Sequence, residues 1–517
     1  MDKKKFQIIK QYVGTQFLNY ILNSDDDINQ EFDFDNYKFS DNQTSVLVDL
    51  SNKIEQCRIQ FVVQGGYGVG VDFYLRPLKN GKNSLFNSYR NLCGGDYPTI
   101  ETEDEVLKFL INIAIREYPN LLLKSSTPSP FHQYSINSGL AEYNHFIELI
   151  KNDSLNSITN KKDDLEYAFE FTTDDGLEFY TQVCGACSII LSRAFHNACN
   201  KINYSLAGFI SEIEISLEIL RTLAEGGEVN YSSFVGVKGL SLDGIGSINL
   251  GSACLHQIDN ISNPSMHTNR LVTQHTGEEG RYLSGNILEV KHKTKISKLE
   301  SSCSRSMSSE VSEQQEKCID ALKFSIIFTT LEDRGVSTSF SENGFPLVQP
   351  GNYSHGSERT RNYIQISQEN LQGLHEWFKE LSELDLKPIK VPMKRIKYAI
   401  FERHQAEDAI VDAIIAWEGI FSEAFETTFK VTGSISKYLS EPADREIFFQ
   451  RLKKLYGLRS DIVHGKSSKL IEKEDIELLR SEVIKIGLDC LIKLIRDEDL
   501  FFLSPAERVK KLMVMGA

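Results

Sequence analysis

Two residue types that can do chemistry together stand close to each other in LYGLRSDIVHGK (455–466), where Arg459 and His464 are separated by four residues. An imidazole exchanges protons near neutral pH and so serves as general acid or base. A guanidinium holds an anionic oxygen through parallel hydrogen bonds and stabilises charge that grows on it. The competing reading is the polar end of a buried helix. On an ideal helix, positions five apart are turned by about 140° and lie about 7.5 Å apart along the axis. The pair therefore converges only if the helix unwinds at Gly465, if Arg459 wraps its long stem around, or if a second copy of the motif meets it across a two-fold axis. The third route predicts a dimer.

Spacing alone carries little weight, because RLVTQH (270–275) places Arg270 and His275 in the same relation. That copy lies in a polar, turn-rich stretch without flanking apolar helices and reads as a surface coincidence. The Arg459 copy differs in its surroundings. A long amphipathic helix leads into it, Gly465 follows as a helix C′ residue, and Ile462 and Val463 are expected to anchor it to a core.

Two other stretches invite a chemical reading. QGGYGVG (64–70) resembles a phosphate-cradling loop but leads into the alternating VDFYLRP rather than a helix, which favours a hairpin. VCGACSIILSRAFHNAC (183–199) offers Cys184, Cys187, His196 and Cys199, the donor set of a tetrahedral zinc site. On one continuous helix His196 and Cys199 lie too far along to meet the first pair, and buried helix-core cysteines are the plainer reading. Thioredoxin-like redox chemistry would need a strand before Cys184, and none is evident.

The bulk properties set limits. The chain has 517 residues, 41% hydrophobic and 25% charged, as in a soluble globular protein of several domains. No apolar run approaches membrane-spanning length and the basic start lacks a signal-peptide core, so a cytoplasmic location without membrane contact is expected. Nine cysteines then read as free thiols. The net charge of −15 is unevenly spread: residues 390–517 carry +1, the remainder −16. Around the motif, Arg451, Lys453, Lys454, Arg459, Lys466 and Lys469 face a single acid, Asp461. Such a patch on an acidic protein suits an anionic partner, although a solvated helix face takes lysines and arginines too.

The elements that must position these residues follow from periodicity. SVLVDL, CRIQFVVQ and the alternating GVGVDFYLRP, in 45–80, read as strands, as do short segments in 229–256 and 285–297. Residues 103–118, 140–151 and 366–384 read as helices, 177–225 as two or more helices, and the Ser-rich 301–312 as a loop. The prolines of LKPIKVPMK (386–394) mark a boundary between a mixed α/β region, 1–385, and an all-α region, 390–517. In the latter, Ala409, Ile410, Ala413, Ile414, Trp417, Ile420, Phe421, Ala424 and Phe425 fall on one helix face. Residues 445–463 and 472–496 repeat the pattern, and VTGSISKYL adds a shorter helix, enough for a bundle. The fold class expected is α+β.

With these residues in view, the C-terminal part resembles the HEPN superfamily, and within it the Apea-like branch. The resemblance rests on DAIVDAIIAWEGIF (408–421), ETTFKVTGSISKYL (426–439) and LKKLYGLRSDIVHGK (452–466), in the family's order and spacing. The frame Tyr-x-x-Arg-Ser-x-x-Val-His-Gly is filled by Tyr456, Arg459, Ser460, Val463, His464 and Gly465. Ser460 stands where the wider superfamily often has Asn, Asp or His, which leaves the role of that position open. The resemblance covers 390–517 only and implies a four- to five-helix bundle that dimerises and brings two motifs into one cleft. It implies a metal-independent endoribonuclease of prokaryotic antiviral defence: an abortive-infection effector or toxin whose N-terminal region senses a phage trigger or restrains the domain.

The chemistry suits these residues. RNA carries its own nucleophile, the 2′-OH; His464 would move its proton while Arg459 holds the scissile phosphate, giving 2′,3′-cyclic phosphate and 5′-hydroxyl ends. Neither cofactor nor metal is required. Ser460 or Asp461 would orient the pair. Glu418 stands at the family's acidic position and pairs with Arg459, or is simply an exposed helix glutamate. Arg451, Lys453, Lys454, Lys466 and Lys469 would line the RNA path, with structured RNA such as tRNA as candidate substrate. A different class of reading keeps the bundle as a non-catalytic module that dimerises or binds RNA for an N-terminal sensor.

Overall fold

The computed structural model describes residues 2–24, 28, 33–63, 74–80, 83–98, 101–123, 140–163, 166–242, 244–259, 284–298, 309–332, 336–350, 353–354, 364–422, 427–466, 468 and 470–515. QGGYGVG, most of GVGVDFYLRP, Arg270 with His275, Lys469, Ala424, Phe425, residues 301–308 and the side chain of Cys184 lie outside them. Helices and antiparallel sheets coexist, so the chain is of mixed α+β class. Contacts group it into two compact units, Met1–Lys238 with Gly246–Glu316 and Thr338–His355, and Gly239–Ile245 with Lys317–Ser337 and Gly356–Ala517.

The first unit opens with three helices, α1 (Lys3–Val13), α2 (Thr15–Leu22) and α3 (Asp41–Val63). Helix α3 occupies the first two segments expected as strands, SVLVDL and CRIQFVVQ. Its Val- and Ile-rich composition misleads, while Val46, Leu47, Leu50, Ile54 and Cys57 are buried at helical spacing. A reciprocal cap starts it: the Gln43 N–H donates to Ser40 Oγ at 3.1 Å and the Ser40 N–H to Gln43 Oε1 at 2.9 Å. Helices α4 (Leu85–Leu92), α5 (Glu105–Leu122) and α6 (Leu140–Lys151) follow.

A small antiparallel sheet comprises β1 (Thr159–Asp163), β2 (Glu166–Thr173) and β3 (Glu178–Gln182), with β8 (Ile296–Lys298) on β2. Strand β3 runs directly into α7 (Val183–Asn200), so the strand thought absent before Cys184 is present. Cys187 is 1% exposed in the core of α7 and packs with α8 (Leu206–Ala224) and its neighbours. Cys187 and His196 are about 13.5 Å apart along one helix, and among the described residues no group of His, Cys, Asp or Glu is arranged to hold a metal. The seven described cysteines are free thiols.

A six-stranded sheet has the order β10-β9-β4-β7-β6-β5. Its strands are β4 (Val229–Lys238), β5 (Ser247–Asn249), β6 (Ala253–Asp259), β7 (Ser284–Thr294), β9 (Ser337–Asn343) and β10 (Tyr353–Ser354). Phe234, Ile258, Ile287 and Phe340 form a small core on one of its faces.

The second unit holds the C-terminal helices, yet its contacts do not begin at the 386–394 prolines. Most of α9 (Ser309–Thr330) and all of α10 (Leu371–Glu383) belong to it. Phe328 of α9 meets Trp377 of α10 edge-on at 5.0 Å, and Lys397 of α11 (Lys390–Lys397) pairs with Asp320 at 2.6 Å. The bundle proper is α12 (Ala406–Ile420), α13 (Thr427–Leu439), α14 (Arg445–Val463) and α15 (Ile476–Ile495), closed by the short α16 (Glu498–Phe501) and α17 (Pro505–Lys510). Ala409, Ile410, Ala413, Ile414, Trp417 and Ile420 are all fully buried, each large side chain contributing about 1.5–3 kcal/mol. The Trp417 indole N–H donates to the Val483 carbonyl at 3.2 Å, tying α12 to α15. Buried Asp412 accepts from Arg395 at 2.7 Å and Arg403 at 2.5 Å. Buried Arg508 donates to the carbonyls of Ile420, Leu500 and Phe501, which caps the end of α12 from α17. No helix among the described residues is long and apolar enough to cross a membrane.

Candidate functional site

The motif sits at the end of α14, and its termination is specific. His464 is the last residue before the turn, and Gly465 adopts φ +62°. The Gly465 N–H donates to the Ile462 carbonyl at 3.1 Å and the Lys466 N–H to the Asp461 carbonyl at 2.9 Å. This is a Schellman ending, in which glycine takes the left-handed conformation that a side chain would oppose. It leaves His464 exposed at the helix tip.

The expected anchors are corrected. Val463 is 58% exposed and Ile462 only half-buried. Leu452, Leu455, Tyr456 and Leu458 hold α14 to the bundle instead, since the apolar stripe rotates away from the last turn.

Arg459, Glu418 and Tyr456 come together. The Tyr456 hydroxyl donates to Glu418 Oε1 at 2.5 Å, and Arg459 Nη2 lies 3.6 Å from Glu418 Oε2. Glu418 is thus no free surface glutamate; its side chain is 21% exposed and that of Arg459 32%. Burial, then the Glu418 carboxylate, push the Tyr456 phenol up to about 12, so it stays a donor at any ordinary pH. Arg459 Nε is buried without a hydrogen-bond partner. These groups line an open cleft of about 770 Å³ with Ser422, Thr427, Ser504, Pro505 and Ala506.

His464 is not among the cleft's lining residues. Ser460 is exposed and Asp461 half-buried, and their carbonyls serve the helix end by accepting from the His464 and Lys466 N–H groups.

The basic patch is weaker than its sequence suggests. Arg451 donates to Glu474 at 2.8 and 2.6 Å and to Glu482 at 2.9 and 2.5 Å. Hydrogen bonds from Arg451 hold Glu474 below the usual carboxylate range. Two carboxylates on one guanidinium leave that site with no net positive charge, so Arg451 braces α14. Lys453, Lys454 and Lys466 are exposed, and Lys453 lies 5.9 Å from the Phe449 ring centroid.

Sequence reading missed the cleft's far wall. Its signal was present in Ser-Pro-Ala-Glu (504–507), where Ser504 accepts from the Glu507 N–H at 3.4 Å and Glu507 accepts from the Ser504 N–H at 2.9 Å. No family model matches the chain, and neither a curated protein nor a solved structure matches it.

Proposed function

We propose that the chain is a metal-independent endoribonuclease of the HEPN superfamily, Apea-like branch, serving abortive-infection defence by cutting host or phage RNA. The observation that carries this reading is the state of Arg459. It lines an open cleft, is held by one carboxylate at 3.6 Å, and keeps an unused Nε–H. A phosphate entering the cleft supplies a charge partner for the exposed part of the guanidinium.

In this reading Glu418 and Tyr456 position Arg459. His464 takes the 2′-OH proton or supplies one to the departing 5′-oxygen. The attacking 2′-oxygen bonds to phosphorus, the bond from phosphorus to the 5′-oxygen breaks, and a 2′,3′-cyclic phosphate remains. Because His464 lies outside the lining of this cleft, a homodimer through the bundle completes the site, with the partner's motif facing Arg459. Lys453, Lys454 and Lys466 track the RNA backbone, tRNA being the candidate. The acidic remainder of the chain acts as sensor and restraint for the phage trigger.

The same placement of His464 also favours a second reading, a module that binds RNA without cutting it. Incubating the purified protein with total RNA in EDTA separates them. Discrete fragments support the enzyme; bound but intact RNA supports the module.

A further inference from the structure

In the six-stranded sheet of the first unit, three side chains used by nothing above stand in line. Cys254 and His256 sit two residues apart on β6 and therefore on one face. Glu289 of β7 is directly opposite Cys254 in the register. Cys254 Sγ lies 3.9 Å from His256 Nδ1, and His256 Nε2 lies 3.0 Å from Glu289 Oε2. The Ser232 hydroxyl on β4 donates to the other carboxylate oxygen at 2.5 Å.

The order nucleophile, base, orienting carboxylate fixes the orientation of the ring. A carboxylate only accepts, so His256 donates its Nε2–H to Glu289 and turns Nδ1 toward the thiol. Burial works against charge on His256, but contacts with Cys254 and Glu289 outweigh it and raise the imidazole to about 9. Burial likewise opposes the Glu289 charge, yet hydrogen bonds from His256 and Ser232 hold the carboxyl below its usual range. The other charged groups facing this cluster are Lys201, the residue that follows α7, which acts on Glu289, and Glu212 on α8, which accepts both of its contacts from Lys201 at 2.8 and 3.1 Å. Cys254 and His256 are partly exposed, while Glu289 is buried. A reagent thus has access to the thiol, and water has little access to the orienting group.

We propose that Cys254, His256 and Glu289 form a second reactive centre, with Cys254 as a nucleophile toward activated acyl compounds of the ester or thioester class. With the raised imidazole holding the proton shared between Sγ and Nδ1, the sulfur attacks the acyl carbon. The carbon–sulfur bond forms, the bond to the leaving oxygen or sulfur breaks, and the His256 proton is available to that leaving group. Water then hydrolyses the S-acyl enzyme to a carboxylic acid and free Cys254. An acyl donor is favoured over a simple alkyl electrophile because a base that returns its proton helps only when the leaving group needs one.

The full-length protein is treated with phenyl acetate at pH 7, whose phenol leaving group takes up a proton at that pH, with phenol release and acetylated cysteines followed by absorbance and peptide mass spectrometry. Cys93, the other partly exposed described cysteine, is the internal reference. Acetylation of Cys254 at least about tenfold faster than of Cys93, and at least about tenfold slower in His256→Gln, is the expected result. Glu289→Gln, which keeps a hydrogen-bond acceptor but loses the charge, gives an intermediate rate. Iodoacetamide, whose leaving iodide needs no proton, labels Cys254 with a smaller difference between wild type and His256→Gln. Equal labelling of Cys254 and Cys93, or a Cys254 rate unchanged in His256→Gln, overturns the assignment. Circular dichroism of each variant shows whether a lost rate reflects lost fold; if His256→Gln unfolds, the wild-type preference for Cys254 over Cys93 and the Glu289→Gln rate decide.

Discussion

Gly465→Ala is the perturbation that asks most of the helix ending described for α14. At φ +62°, a Cβ added to Gly465 meets no atom within 4 Å, so crowding by neighbours contributes nothing and the cost is the backbone's own. An alanine in the left-handed region costs about 1–2 kcal/mol. Alanine also restricts the unfolded chain, which returns about 0.4–1 kcal/mol. The net loss is about 1 kcal/mol, and Gly465→Asn loses less because asparagine tolerates this conformation. The assay is built into the sequence. Both tryptophans, Trp377 and Trp417, lie in the second unit and are buried, so their fluorescence in urea follows that unit alone. Because the two Schellman hydrogen bonds fix where His464 stands, RNA cleavage should fall in the same order, alanine below asparagine below wild type. An alanine variant as stable as wild type would refute the left-handed turn and with it the stated position of His464.

Other variants separate bracing from chemistry. Arg451→Met leaves Glu474 and Glu482 facing each other without their shared cation; stability by the same fluorescence assay falls by about 1 kcal/mol, and RNA affinity by filter binding changes less than for Lys454→Ala. Tyr456→Phe removes the hydrogen bond that holds Glu418 and lowers stability by about 1 kcal/mol, with a loss of cleavage rate at saturating RNA rather than of RNA affinity. The first unit has its own pH signature. His256 binds its proton more tightly when folded, so its contribution is present below about 6.5 and is lost as pH rises through about 9. Glu289 is depressed, so its contribution is present above about 4.5 and lost as pH falls below that. Amide protection of β7, corrected for intrinsic exchange and followed by mass spectrometry, should drop between pH 6.5 and 9 in wild type and stay flat in Glu289→Gln.

How much of this was legible in the sequence depended on how far apart the partners are. The core of α12 could be read directly, because Ala409 to Ile420 repeat at helical period and all face inward. Gly465 announced its turn by residue type alone. Helix α3 was misread because β-branched content outweighed the Ser40–Gln43 cap, a signal that was there to be used. Counting charge near Arg459 failed for another reason. The carboxylates that neutralise Arg451 lie 23 and 31 residues downstream, on the loop before α15 and on α15 itself. The line through Cys254, His256 and Glu289 was equally invisible, since it exists only through the β6–β7 register, 33 residues apart at its longest step. Glu418, by contrast, was placed beside Arg459 by the family resemblance, and the 3.6 Å approach agrees with that pairing.

The most direct test of the account is to map the ends of RNA incubated in EDTA with the purified full-length protein, with Arg459→Ala and with His464→Ala. The account predicts fragments bearing 2′,3′-cyclic phosphate and 5′-hydroxyl ends from wild type, and none from either variant although both retain native tryptophan fluorescence. Full cleavage by either variant, or RNA left intact by wild type, would contradict it.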